Sequence, residues 1–214
     1  MSGAVGDAKT MGILRALVLA GLAAAAALAV WSAMARRDTS SGLLHYGSLP
    51  AFELVEAGGA PFSSRSLQGK VWVASFVYTT CKASCPMLTA QVKRLSKSLP
   101  AGQDYALVSF SVDPKKDTPE ALRKYAVDCG ADDPRWHFLT GATADLKALI
   151  SDGFKLVAGP DDQARDARKD PESLHSTKLV LVDKHGDVRG YYDGLLGSSV
   201  DAVRRDAELL DREG

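Results

Sequence analysis

The segment TTCKASCPM, residues 79–87, sets two thiols four positions apart, Cys81 and Cys85, with Pro86 directly behind the second. Thiolates are the nucleophiles of disulfide exchange and soft ligands for metal ions. Three residues lie between the pair, Lys82, Ala83 and Ser84, one more than in the usual C-x-x-C redox motif. The wider bite still allows a disulfide. It also allows both sulfurs to hold one soft ion at bond lengths of roughly 2.2–2.3 Å. Spacing alone leaves a redox pair and a metal pair open.

The elements that must position these thiols are legible on either side. VWVASFVY (71–78) and YALVSFSV (105–112) are rich in Val, Phe and Tyr and read as buried strands. A helix over about 86–99 carries Leu88, Val92 and Leu95 at helical spacing, and a second opens at DTPEAL, with Thr118 as cap and Pro119 in the first turn, and stops at Gly130. A strand at 136–139, a helix over about 142–151, strands at 178–182 and 188–192 and a helix over about 199–210 complete the order. The last two strands form a hairpin turning at His185-Gly186. A βαβ unit followed by a ββα unit is the order of the α/β thioredoxin-like fold, and AFELVEAGGAPFSSRSLQGK (51–70) supplies an N-terminal hairpin extension. Cys81 then falls in a strand-to-helix loop and Cys85 in the first helical turn, where free N–H groups and the helix dipole are expected to lower cysteine pKa.

A metal would need a further ligand, and His175 is the candidate. It stands in LHSTKLVLVD, directly before a core strand, in the loop that faces the cysteine helix in thioredoxin-like folds. A disulfide reductase needs no imidazole there but does need a cis-proline, and Pro171 stands four residues upstream. The segment 159–174, polar and rich in charge, is longer than a routine connection and is expected to be ordered only when a metal recruits His175. His137 and His185 read as structural side chains, and His45 as part of the connector. Met87 reads as core packing or a backdrop to the site. Asp113 and Asp117 in SVDPKKDTP read as turn formers, with an outer-shell carboxylate as the functional alternative. Cys129 reads as a small hydrophobe closing its helix. A peroxide-reducing site is disfavoured, because Thr80 precedes Cys81 but the proline lies on the wrong side.

Twenty uncharged residues, 16–35 (ALVLAGLAAAAALAVWSAMA), follow Lys9 and Arg15 and precede Arg36 and Arg37. That length spans a bilayer as a helix, with Trp31 at interface depth. The rival is a signal segment cleaved after Ala33-Met34-Ala35. The expected organisation is a cytoplasmic tail (1–15), a transmembrane anchor or signal segment (16–35), a linker (36–44) and a folded domain (45–214). That domain is expected on the periplasmic side of a bacterial inner membrane, held by a single pass. With 26 basic residues against 26 acidic, no charge excess or basic run favours nucleic acid. Three cysteines in 214 residues are too few for a disulfide scaffold, so their chemistry is local.

TTCKASCPM, SVDPKKDTPEALRKY and LHSTKLVLVDKHGDV, in this order, resemble the Sco/SenC family of membrane-anchored, thioredoxin-fold copper-binding proteins of cytochrome c oxidase assembly. The likeness extends over about 45–212. It implies copper, as Cu(I) or Cu(II), held by Cys81, Cys85 and His175. It also implies delivery to the binuclear copper site of cytochrome c oxidase subunit II, by a metallochaperone rather than an enzyme. Further partners would be another periplasmic copper chaperone or a thiol reductase. The alternatives use the same cysteines catalytically, as a thiol-disulfide oxidoreductase that reduces the cysteines of that copper site, or as a redox or copper sensor. Soft thiolates suit Cu(I), imidazole suits either oxidation state, and a three-ligand site stays open to an incoming ligand.

Overall fold

The computed structural model describes residues 18–21, 25, 42–81, 84–101, 104–156 and 177–213. The chain divides into two units, Met1–Ser40 and Ser41–Gly214. In the first, residues 18–21 and 25 are helical, and the rest of the expected anchor lies outside the described residues. Among the described residues no helix is long and apolar enough to cross a membrane.

The second unit is built on one eight-stranded sheet. Its strands are β1 (Gly47–Ser48), β2 (Glu53–Glu56), β3 (Pro61–Ser63), β4 (Val71–Val77), β5 (Tyr105–Ser111), β6 (Trp136–Thr140), β7 (Lys178–Val182) and β8 (Asp187–Asp193). Their spatial order is β1-β8-β7-β4-β5-β6-β2-β3. β4, β5 and β6 are parallel, while β7 pairs antiparallel with β4 and β8 antiparallel with β7. The helices are α1 (Ser84–Ser98), α2 (Pro119–Asp128), α3 (Thr143–Ala148) and α4 (Gly197–Glu213).

All seven residues of β4 and of β5 are buried, because helices cover both faces of these central strands and demand apolar side chains on each. On one face Val71, Val73 and Val77 pack with Leu88, Val92 and Leu95 of α1, Leu122 of α2 and Val203 of α4. On the other, Trp72, Phe76 and Phe110 pack with Leu146 of α3 and with Ile150 and Phe154 beyond it. Phe76 and Phe110 stack, and Phe154 meets both edge-on. The fold is thus the mixed α/β thioredoxin-like one, with the expected β2–β3 hairpin added at the sheet edge next to β6.

Two elements depart from the sequence expectation. The helix expected to run to Ser151 is α-helical only over Thr143–Ala148 and widens into a π-turn at Leu149–Gly153. The π-turn ends at Gly153, where a side chain would press on Leu149 and Pro50, so glycine lets the backbone approach closely. β1, a two-residue strand at the edge of β8, is unforeseen because Gly47-Ser48 carries no strand pattern.

Candidate metal centre

β4 ends at Val77 and α1 begins at Ser84, so Cys81 lies in the connecting loop and Cys85 in the first turn of the helix. Pro86 costs nothing there, since the N–H groups of a first turn have no partner within the helix. Both cysteines are thiols, Cys81 8% and Cys85 1% exposed. The backbone N–H of Cys85 donates to Cys81 Sγ at 3.3 Å. One of the orphan donors of the helix start therefore serves the first sulfur, and the Ser84 hydroxyl lies 3.8 Å from the same atom.

The expectation of a lowered pKa fails at Cys85. Burial pushes this thiol up to about 12, and its hydrogen bond with Cys81 pushes the same way. The physical reason is desolvation: a side chain sealed under a helix turn loses more by leaving water than it gains from the helix dipole. A metal-bound thiolate escapes this penalty because the cation neutralises it. Met87, expected in the core or behind the site, is 57% exposed on the outer face of α1.

Of the two aspartates, Asp113 behaves as read. Its carbonyl accepts from the N–H groups of Lys116 and Asp117, and its carboxylate pairs with Lys116 at 3.1 Å. Thr118 caps α2 as expected, accepting from the N–H of Ala121. Asp117 does something else. It is 0% exposed, and its carboxylate accepts from the backbone N–H of Thr79 at 3.0 Å, the Thr79 hydroxyl at 2.7 Å and the Ser111 hydroxyl at 2.6 Å. Its negative charge is among the influences that raise the Cys85 pKa. The signal that could have found it is Ser111, a hydroxyl closing a wholly buried strand, which must have a buried partner.

The described histidines lie elsewhere. His185 sits in the β7–β8 turn, its N–H held by Asp183 Oδ1, at the end of the sheet remote from the cysteines. His137 pairs with Glu56 at 2.6 Å and packs on Phe62, fastening β6 to the hairpin. His45 pairs with Asp187 at 3.1 Å beside β1. His175 and the segment 159–174 lie outside the described residues. Cys129 closes α2 and packs half-buried against the core, where burial raises its pKa. Among the described residues no three His, Cys, Asp or Glu side chains gather as a metal site, so the two thiols are the donors available there.

The sequence model of the SCO1/SenC family matches residues 43–208. The SCO1 protein homolog of Bacillus subtilis (strain 168) is 30% identical over 159 residues, covering 73% of this chain and 79% of that protein. The solved structure of BsSco is described as that of a member of the Sco family of cytochrome c oxidase assembly proteins with a disulfide switch. It superposes with a TM-score of 0.67 at 30% identity, over 79% of this chain and 96% of that one. Bradyrhizobium japonicum ScoI, solved with copper bound, shares the fold at a TM-score of 0.59 and 21% identity, over 76% of this chain and 99% of that one. A family match over residues 43–208, most of the second unit, with the cysteine pair just beyond the end of β4, makes this chain a member of the SCO1/SenC family.

Proposed function

We propose that this protein is a membrane-anchored copper chaperone. Cys81, Cys85 and His175 hold one copper ion, which passes to the binuclear copper site of cytochrome c oxidase subunit II. Copper is the cargo, and the proposed donor set suits it: two soft thiolates and one imidazole make a three-coordinate site, where structural zinc usually takes four ligands. The anchor is the apolar segment 16–35, with 1–15 as tail, 36–44 as linker and the folded domain in the periplasm of a bacterial inner membrane. Another periplasmic copper chaperone or a thiol reductase would load or reset the site.

One observation carries this reading. β7 runs antiparallel to β4, with Trp72 opposite Val182 and Ala74 opposite Val180. The chain therefore enters β7 at the sheet end where β4 delivers the cysteines. Thr177 stands just before β7, and its carbonyl accepts from Gly194 at 2.7 Å. A side chain at Gly194 would strike both this carbonyl and Leu88 of α1, so Thr177, Gly194 and Leu88 meet at one point. Leu88 lies one turn beyond Cys85. His175 is two residues back from Thr177, a reach of at most about 7 Å along an extended chain.

A second reading uses the same thiols as a reductant, and is favoured by the Cys85 N–H aimed at Cys81 Sγ. In that chemistry Cys81 and Cys85 would give up two electrons and two protons to a partner disulfide, becoming a disulfide as the partner becomes a dithiol. The two readings separate on mixing with the soluble domain of subunit II. Copper-loaded protein should transfer its metal to the reduced, metal-free domain. Metal-free protein mixed with the oxidised domain should leave the domain's thiol titre unchanged. Thiols appearing in the domain without copper transfer would instead establish the reductase.

A further inference from the structure

We infer that Asp117 is the positioning residue of the cysteine loop: its carboxylate fixes Thr79, and through it Cys81, in the arrangement that receives copper. The inference rests on the copper reading above, but its mechanical part concerns the metal-free thiols as well.

Cys81 has no secondary structure of its own to hold it. β4 stops four residues before it and α1 starts three residues after it. Its N–H donates to the carbonyl of Tyr78 at 3.2 Å and its Sγ accepts from the N–H of Cys85, bonds to the residues immediately around it. An attachment to a distant element keeps the loop in place when a metal is loaded and removed. Asp117 supplies it from a different element, ahead of α2. One carboxylate oxygen takes both the N–H and the hydroxyl of Thr79, two residues before Cys81. The other takes the hydroxyl of Ser111 at the end of β5. The Asp117 N–H itself donates to the carbonyl of Asp113 at 2.9 Å, so the carboxylate is fixed at both ends.

Hydrogen bonds to a carboxylate are roughly twice as strong as neutral ones. A fully buried carboxylate cannot exchange them for water, so releasing Thr79 would strand an acceptor. Asp117 thus couples the loop to β5, a central strand of the sheet. A turn former has no need of these three donors: Asp113, buried as well, pairs its carboxylate with an exposed lysine instead.

Three variants test the role. Asp117→Asn keeps the size but offers one acceptor oxygen in place of two and loses the charge that strengthens all three bonds. Thr79→Val removes the hydroxyl on the loop side, and Ser111→Ala removes the hydroxyl on the strand side. Thr79→Val and Ser111→Ala each delete one bond to the same carboxylate, and Ser111→Ala also removes the acceptor of the Asp113 N–H, so its melting temperature should fall at least as far as that of Thr79→Val. Their copper affinities, measured by anaerobic competition with a Cu(I) chelator, should not follow that order. Asp117→Asn and Thr79→Val should weaken binding by about 10- to 100-fold, the usual cost of losing a group that orients a ligand, and should shift the thiolate-to-copper absorption. Ser111→Ala should stay close to wild type.

In the metal-free protein, alkylation of the buried Cys81 should be several-fold faster in Thr79→Val and Asp117→Asn, and unchanged in Ser111→Ala. Equal effects of Thr79→Val and Ser111→Ala on affinity and alkylation, or none from either, would overturn the inference and leave Asp117 a stabilising residue only. Copper binding by wild type that does not depend on cysteine, together with the alkylation pattern above, would overturn the copper reading while the attachment of the loop stands. If Asp117→Asn fails to fold, the comparison of Thr79→Val with Ser111→Ala still decides.

Discussion

Replacing His175 by alanine is expected to weaken copper binding by at least about 100-fold, since even the loss of a group that merely orients a ligand costs 10- to 100-fold. The same change at His185 should leave affinity and the Cu(II) spectrum as in wild type. The contrast follows from the direction of β7: Thr177 precedes the strand at the cysteine end, whereas the β7–β8 turn holds His185 at the opposite end. Anaerobic chelator competition measures it. If His185→Ala proved the more damaging, the third ligand would not come from the segment before β7. A His175→Ala protein that kept full affinity would leave the thiols to bind copper without imidazole.

Gly194→Ala should be the most damaging glycine-to-alanine change among the described residues. An added Cβ would stand 2.6 Å from the carbonyl oxygen of Thr177 and 2.2 Å from Leu88 Cδ1. The leucine tip can rotate, but the carbonyl is backbone, and moving it breaks the bond that Gly194 donates to it. Overpacking of this kind costs about 1–3 kcal/mol, and in a domain of this size each kcal/mol lowers the melting temperature by roughly 2–4 °C. If His175 is the third ligand as proposed, copper affinity should fall as well, because the displaced residue is Thr177, two residues along the chain from it. Thermal unfolding and copper competition on the same preparation check both. A loss of stability with unchanged affinity would show that the seating of Thr177 is irrelevant to the metal.

The parts of the fold that were legible in the sequence are those set by local chemistry. β4 and β5 stand out because burial on both faces leaves runs of Val, Phe and Tyr. Thr118, Pro119 and Gly130 mark the ends of α2 because a cap, a first-turn proline and a left-handed C-terminus each need a particular residue; Gly130 has φ +61. His185-Gly186 marks the hairpin for the same reason, with Gly186 at φ +87. Placing Cys81 in the loop and Cys85 in the first turn needed only the ends of these elements.

What was not legible depends on contacts between distant residues. Whether the helix dipole or desolvation rules Cys85 turns on how deeply α1 sinks onto the sheet, and residues 84–88 do not encode that depth by themselves. Met87 reads as core by residue type, yet the helical turn that buries Cys85 and Leu88 turns Met87 outward. Asp117 has the composition of a turn, and its burial appears only when Thr79 and Ser111 close over it from two other segments. The close packing of Gly153, at the end of the π-turn, against Pro50 likewise joins residues far apart in sequence.

The most direct test of the copper account is anaerobic titration of the reduced protein with Cu(I), with X-ray absorption of the loaded form and the Cys81→Ser, Cys85→Ser double variant alongside. The account predicts one copper per chain, with sulfur scatterers at roughly 2.2–2.3 Å together with a nitrogen scatterer. Far less metal should be held by the disulfide form or by the double variant, because a disulfide sulfur and a serine hydroxyl are poor ligands for a soft ion. Equal copper retention by the reduced protein and the double variant would contradict it.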